Sequence, residues 1–86
     1  MSGQLNLLDA LPVPGLAAAL AEVDCEDPWG VMWRRMSAPG GGFGRGGAAG
    51  AVVVIGFGIA GRGPSAAEAA RQWVLGARAR VAADLA

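Results

Sequence analysis

The chain has 86 residues, 53% of them hydrophobic, fifteen of them glycine, and a formal net charge of zero. That length holds one small domain, residues 1–86, whose thin core gains from a partner or a second copy. With one cysteine and no lysine, histidine or tyrosine, the chain lacks the usual nucleophiles and bases, and it lacks the basic surplus of a free-standing nucleic-acid binder.

In chain order, Leu5, Leu8 and Leu11 share one side at helical spacing and predict a short helix over 4–11, interrupted by Pro12 and Pro14. A second helix is predicted over Gly15–Asp24, with Leu16, Leu20 and Val23 as its apolar stripe. Asp27-Pro28 breaks it, because proline drives the preceding residue out of helical geometry. "VMWRRM" then alternates Val31, Trp33 and Arg35 against Met32, Arg34 and Met36, which predicts a strand. Residues 38–50 contain seven glycines and predict a flexible loop that carries Phe43 and Arg45.

Residues 51–60 predict the strongest strand, with one face staying large and the other becoming small. Ser65-Ala66-Ala67-Glu68 is a capping box that opens a helix running to about Ala83. Ala66, Ala69, Ala70, Trp73, Ala77 and Val81 form its inner face, with Trp73 as the core plug. Gly76 weakens that helix by about 1 kcal/mol relative to alanine and points to a close contact. The expected fold is α+β: N-terminal helices, an antiparallel hairpin with a long Gly-rich loop, and a C-terminal helix packed on the sheet.

The charges are segregated. Residues 1–27 carry Asp9, Glu22, Asp24, Glu26 and Asp27 and no base, while residues 28–86 carry all seven arginines against Glu68 and Asp84. The two halves therefore complement each other on folding, or they present one acidic and one basic face to a charged partner. Cys25 is alone, which fits a reducing compartment. The N-terminus has no basic n-region, so no secretory signal is expected. The longest uncharged apolar run, Gly46–Gly61, falls short of the ~20 residues of a membrane span, so a cytoplasmic protein without membrane contact is expected.

"AVVVIGFGIAG" contains Gly56, Gly58 and Gly61 at the G-x-G-x-x-G spacing of a dinucleotide fingerprint. The fingerprint needs a helix starting inside the motif, so that its free N–H groups face the pyrophosphate. Here Arg62, Gly63 and Pro64 intervene before the cap at Ser65. No second strand follows to end on an acidic residue, since Asp84 closes a helical segment. No cofactor is expected, and the glycines are read as packing positions. Asp24, Glu26 and Asp27 match no calcium loop, and Cys25 has carboxylates and no histidine beside it, so neither a metal nor catalysis is expected.

The partner-binding candidates are Asp24, Glu26, Asp27, Trp29, Arg34, Arg35, Phe43, Arg45 and Arg62. Arginine and aromatic side chains grip acidic protein surfaces or stack on bases, and both types are common at binding hot spots. The alternative is that the tryptophans, Trp33 among them, are core and the arginines merely solvated.

"GFGIAGRGPSAAEAARQWV" resembles the strand–Gly–capped-helix ending of small HicB-like antitoxins and of phage accessory proteins. "LPVPGLAAALAEVDCEDPWGVMWRRM" departs from the antitoxin pattern and is similar to small prophage anti-CRISPR proteins, in particular inhibitors of type I-C systems. The second resemblance implies a non-catalytic inhibitor, a monomer or homodimer. It would bind a Cascade-like bacterial effector complex and block target DNA without itself contacting nucleic acid. The first implies a regulatory module that binds a toxin or DNA as a dimer. Neither resemblance transfers a functional residue. The neutral charge departs from the acidic surface of DNA-mimicking inhibitors.

Overall fold

The computed structural model describes residues 15–47 and 49–85. The expected helix over 4–11 lies outside them. Six elements occur in order: α1 (Leu16–Val23), α2 (Pro28–Met36), β1 (Phe43–Gly46), β2 (Val52–Gly56), β3 (Ile59–Gly63) and α3 (Ala66–Leu85). The architecture is α+β, with a three-stranded antiparallel sheet in the order β1-β2-β3 and the C-terminal helix packed on it.

Helix α1 buries Leu16, Ala19 and Val23, a stripe at helical spacing, against the rest of the core. It stops at Asp24, ahead of the Asp27-Pro28 break. Residues 31–36, expected as a strand, belong instead to helix α2. Asp27 is the N-cap, its Oδ1 accepting from the Gly30 N–H at 3.1 Å, and Pro28 sits where a missing N–H costs nothing. The buried positions are Pro28 and Met32, four residues apart, with Trp29 and Met36 packed beside them. That helical stripe overrides the short run of alternation that suggested a strand.

The sheet brings two further corrections. Residues 38–50 are not one loop, since β1 lies inside them and pairs Phe43 with Gly56 through to Gly46 with Val53. Residues 51–60 are not one strand, since the chain turns at Phe57-Gly58 and returns as β3. Both turn residues have positive φ, 53° and 76°, the requirement of a two-residue type I′ hairpin. Glycine takes this conformation freely, but phenylalanine does so at a cost. Phe57 is held there by the Phe43 ring at 5.4 Å and the Arg35 guanidinium at 5.5 Å.

Helix α3 is the floor on which β2, β3 and the two short helices pack. Its cap is as expected, with the Glu68 N–H donating to Ser65 Oγ at 3.2 Å, although the Glu68 carboxylate accepts from Arg71 and Gln72 further along the helix. Ala69, Ala70, Trp73, Val74 and Ala77 are buried against the sheet and the two short helices. Among the described residues, alanine at four of the ten buried hydrophobic positions lets the backbones come close, most of all where Gly61 meets the Ala69–Trp73 turn. Gly76 has the close contact its position suggested: a Cβ there would stand 3.1 Å from Ile59. The opposite face of the sheet shows Ile55, Ala60 and Arg62 to solvent.

Two ion pairs tie the acidic N-terminal stretch to the basic remainder, so complementarity between the halves is part of the fold. Arg35 Nη1 donates to Glu22 at 2.9 Å, joining α1 to α2. Arg78 holds Asp24 from α3, with Nε donating to one carboxylate oxygen at 3.0 Å and Nη2 to the other. Those hydrogen bonds, opposed by desolvation and helped by the charge of Arg78, lower the Asp24 pKa below the usual aspartate value. A lowered pKa adds stability that is complete above the unfolded aspartate value and is lost as pH falls through the folded one. We expect the Asp24 carboxyl, followed by ¹³C NMR, to titrate below the usual aspartate midpoint and Arg78→Gln to bring it back up. An unchanged midpoint in the variant would show that the pair contributes nothing.

Candidate functional site

Helix α2 and strand β1 meet along one side of the molecule, where three aromatic and cationic side chains come together. Trp29 and Trp33, one helical turn apart, have ring centroids 5.8 Å apart at an interplanar angle of 46°. The Arg45 guanidinium, reaching across from β1, lies 5.6 Å from the Trp29 ring centroid. Trp29 is half-buried, whereas Trp33 is 54% exposed, a large apolar surface left in water. Arg34 is exposed beside it on α2.

The ion pairs separate the candidates further. Arg35, Arg71, Arg78 and Arg80 each have a carboxylate partner. Arg34, Arg45 and Arg62 have none among the described residues. The acidic candidates are mostly engaged within the fold: Asp24 by Arg78 and Asp27 as the cap of α2, while Glu26 is exposed between them. The cationic surface is therefore the one with valence to spare. Arg62 stands apart from it, on the face of β3 turned away from the helices.

Arg35 and Phe43 are placed inside the fold. Arg35 Nε donates to the Gly41 carbonyl at 2.9 Å, and its guanidinium stacks at 5.5 Å on both Phe43 and Phe57. Phe43 presses edge-on against Trp73 with centroids 4.9 Å apart. Both residues hold α2 to the sheet, so substitutions there test folding and not only contact with a partner. The sequence candidates omitted Trp33. Its spacing of four from Trp29 was the available signal, weighed against a place in the core.

Beside Arg45, residues between β1 and β2 and Pro64, ahead of α3, border an open groove of about 440 Å³. Gly46, Gly47, Gly50, Val52 and Pro64 line it, and Arg45 is its one charged side chain among the described residues. A second, smaller groove of about 250 Å³ lies between the α1–α2 loop and α3, with the exposed free thiol of Cys25 at its wall. Among the described residues no group of three His, Cys, Asp or Glu side chains is placed to hold a metal ion, and no helix is long and apolar enough to cross a membrane.

The G-x-G-x-x-G glycines are spread over a hairpin. Gly56 ends β2 and its carbonyl accepts from Trp73 Nε1 at 3.0 Å, Gly58 makes the turn, and Gly61 lies against α3. Helix α3 starts beyond β3 and not inside the motif, unlike the helix of a dinucleotide fingerprint. Comparison with known proteins returned no match, whether to a family model, to a curated sequence or to a solved structure.

Proposed function

We propose that this protein is a non-enzymatic binding module that docks the Trp29–Trp33–Arg45 surface onto an acidic patch of a larger bacterial protein complex and inhibits it. One observation carries the reading: Arg45 stacks on Trp29 without a described carboxylate partner, next to an exposed Trp33. An exposed indole beside an arginine already oriented by stacking loses little entropy on binding, and this pairing is frequent at interface hot spots. Arg34 adds long-range attraction to an acidic partner. The similarity of the N-terminal half to prophage inhibitors makes the type I-C CRISPR effector complex the first partner to test, with loss of target-DNA capture as the consequence.

Purified effector complex should be retained by the immobilised protein, and its capture of target DNA should fall. Trp33→Ala and Arg45→Glu should each weaken retention by about thirtyfold, the scale of a hot spot near 2 kcal/mol. Arg71→Glu, at an exposed position of α3, should leave it unchanged. Absence of retention by the wild-type chain would overturn the choice of partner, and equal retention by all variants would overturn the choice of surface.

A second reading keeps support from the β3–α3 segment, which folds as a strand running into a Ser65-capped helix, the element shared in outline with HicB-like antitoxins. That reading requires a dimer, so sedimentation of the chain as a monomer at micromolar concentration would remove it.

A further inference from the structure

The groove beside Arg45 is not used by the fold. It is open, close to 440 Å³, and its walls are main chain and small side chains from Gly46, Gly47, Gly50, Val52 and Pro64. Among the described residues Arg45 is the one charged side chain lining it, and no described carboxylate pairs with that guanidinium. Stacking on Trp29 holds the Arg45 head in place, so the cation is positioned before any ligand arrives. The glycine turn gives the groove exposed main chain: Gly47 and Gly50 have φ of 132° and 78°, values that side-chain-bearing residues rarely adopt.

We infer that this groove receives a carboxylate side chain, Asp or Glu, projecting from the protein partner, with Arg45 pairing it at the groove wall. The inference rests on the reading of the Trp29–Arg45 surface as partner-facing. Charge complementarity carries it: a guanidinium forms two parallel hydrogen bonds to a carboxylate, and here none of the described residues around the groove supplies that carboxylate from within the chain. The seat continues directly into the tryptophan pair through the Arg45–Trp29 stack. A partner loop would thus place its acidic residue in the groove while an apolar neighbour covers Trp33.

The test is an NMR titration of the full chain with an acetylated hexaglutamate amide, and separately with inorganic phosphate at equal charge. The peptide should shift the amides of Gly46, Gly47 and Gly50 and the Nε–H of Arg45. Arg45→Gln should weaken binding at least tenfold. Pro64→Glu, which offers Arg45 an internal carboxylate at an exposed position of the groove wall, should do the same. Arg71→Gln, paired with Glu68 elsewhere, should bind as the wild type does. Absence of shifts at the groove, or equal binding by Arg45→Gln, would overturn the proposal. Phosphate binding as tightly as the peptide would overturn the protein carboxylate in favour of a general anion seat. The titration does not involve the effector complex. A failed retention experiment with an intact titration therefore removes the partner and leaves the groove. The converse removes the groove and leaves the tryptophan surface.

Discussion

Trp73→Ala is expected to destabilise the fold by about 3–5 kcal/mol, the cost of a large aromatic truncated inside a packed core. For a chain of this length total stability is roughly 4–13 kcal/mol, so this one change removes much of what holds it folded. The reason is local. Trp73 is fully buried, supports Phe43 edge-on at 4.9 Å, and donates its indole N–H to the Gly56 carbonyl at 3.0 Å. Truncation opens a cavity that four buried alanines cannot fill, and it leaves that carbonyl without its indole donor. Trp73→Phe separates the two losses. It keeps most of the ring and removes the donor, so it should cost about 1–3 kcal/mol. Urea unfolding followed by circular dichroism reads both. A Trp73→Phe variant as stable as the wild type would show that the Gly56 hydrogen bond contributes nothing net.

Gly61→Ala should cost about 3 kcal/mol, at the upper end of what one added methyl does in a packed core, and lower the melting temperature by roughly 12–24 °C. A Cβ at Gly61 would stand 2.2 Å from the Ala69 carbonyl oxygen and 2.4 Å from the Trp73 nitrogen. Both atoms belong to the backbone of α3, so no side chain can rotate out of the way and the helix itself must move. Gly44, in β1, is the matched control. A Cβ there meets nothing within 4 Å, so Gly44→Ala should change stability by no more than about 0.5 kcal/mol. Equal melting of the two variants would mean that α3 does not lie as close to β3 as described.

Much of the fold was legible from residue types. The stripe of Leu16 and Val23, the Ser65 cap, the alanine face around Trp73 and the close approach at Gly76 all derive from local chemistry and periodicity, and all are present. The misreadings have physical causes. In "VMWRRM" six residues alternate by chance, while the helix signal sits just ahead of them, in Asp27 as cap and Pro28 as first residue. In "VVVIGFGIAG" the β-forming Phe57 sits in a left-handed turn conformation that its own preference opposes, stabilised by Phe43 and Arg35 from elsewhere in the chain. Strand β1 has glycine at two of its four positions and forms because β2 offers a ladder to pair with.

The candidate site divides the same way. Composition pointed to the arginines, the aromatic residues and the acidic cluster as candidate binding groups, because few other functional side chains are present. Which of them remain available was decided by contacts distant in sequence. Asp24 is taken by Arg78, fifty-four positions away, and Arg35 by Glu22, Gly41 and two phenylalanines, whereas Arg45 is delivered to Trp29 with no described carboxylate to pair it. The α+β class and the buried face of the last helix follow from residue types alone, because they depend on propensity and period. Strand pairing, the engagement of Asp24 and the placement of Arg45 beside an open groove came from packing, because each depends on which distant groups are brought into contact.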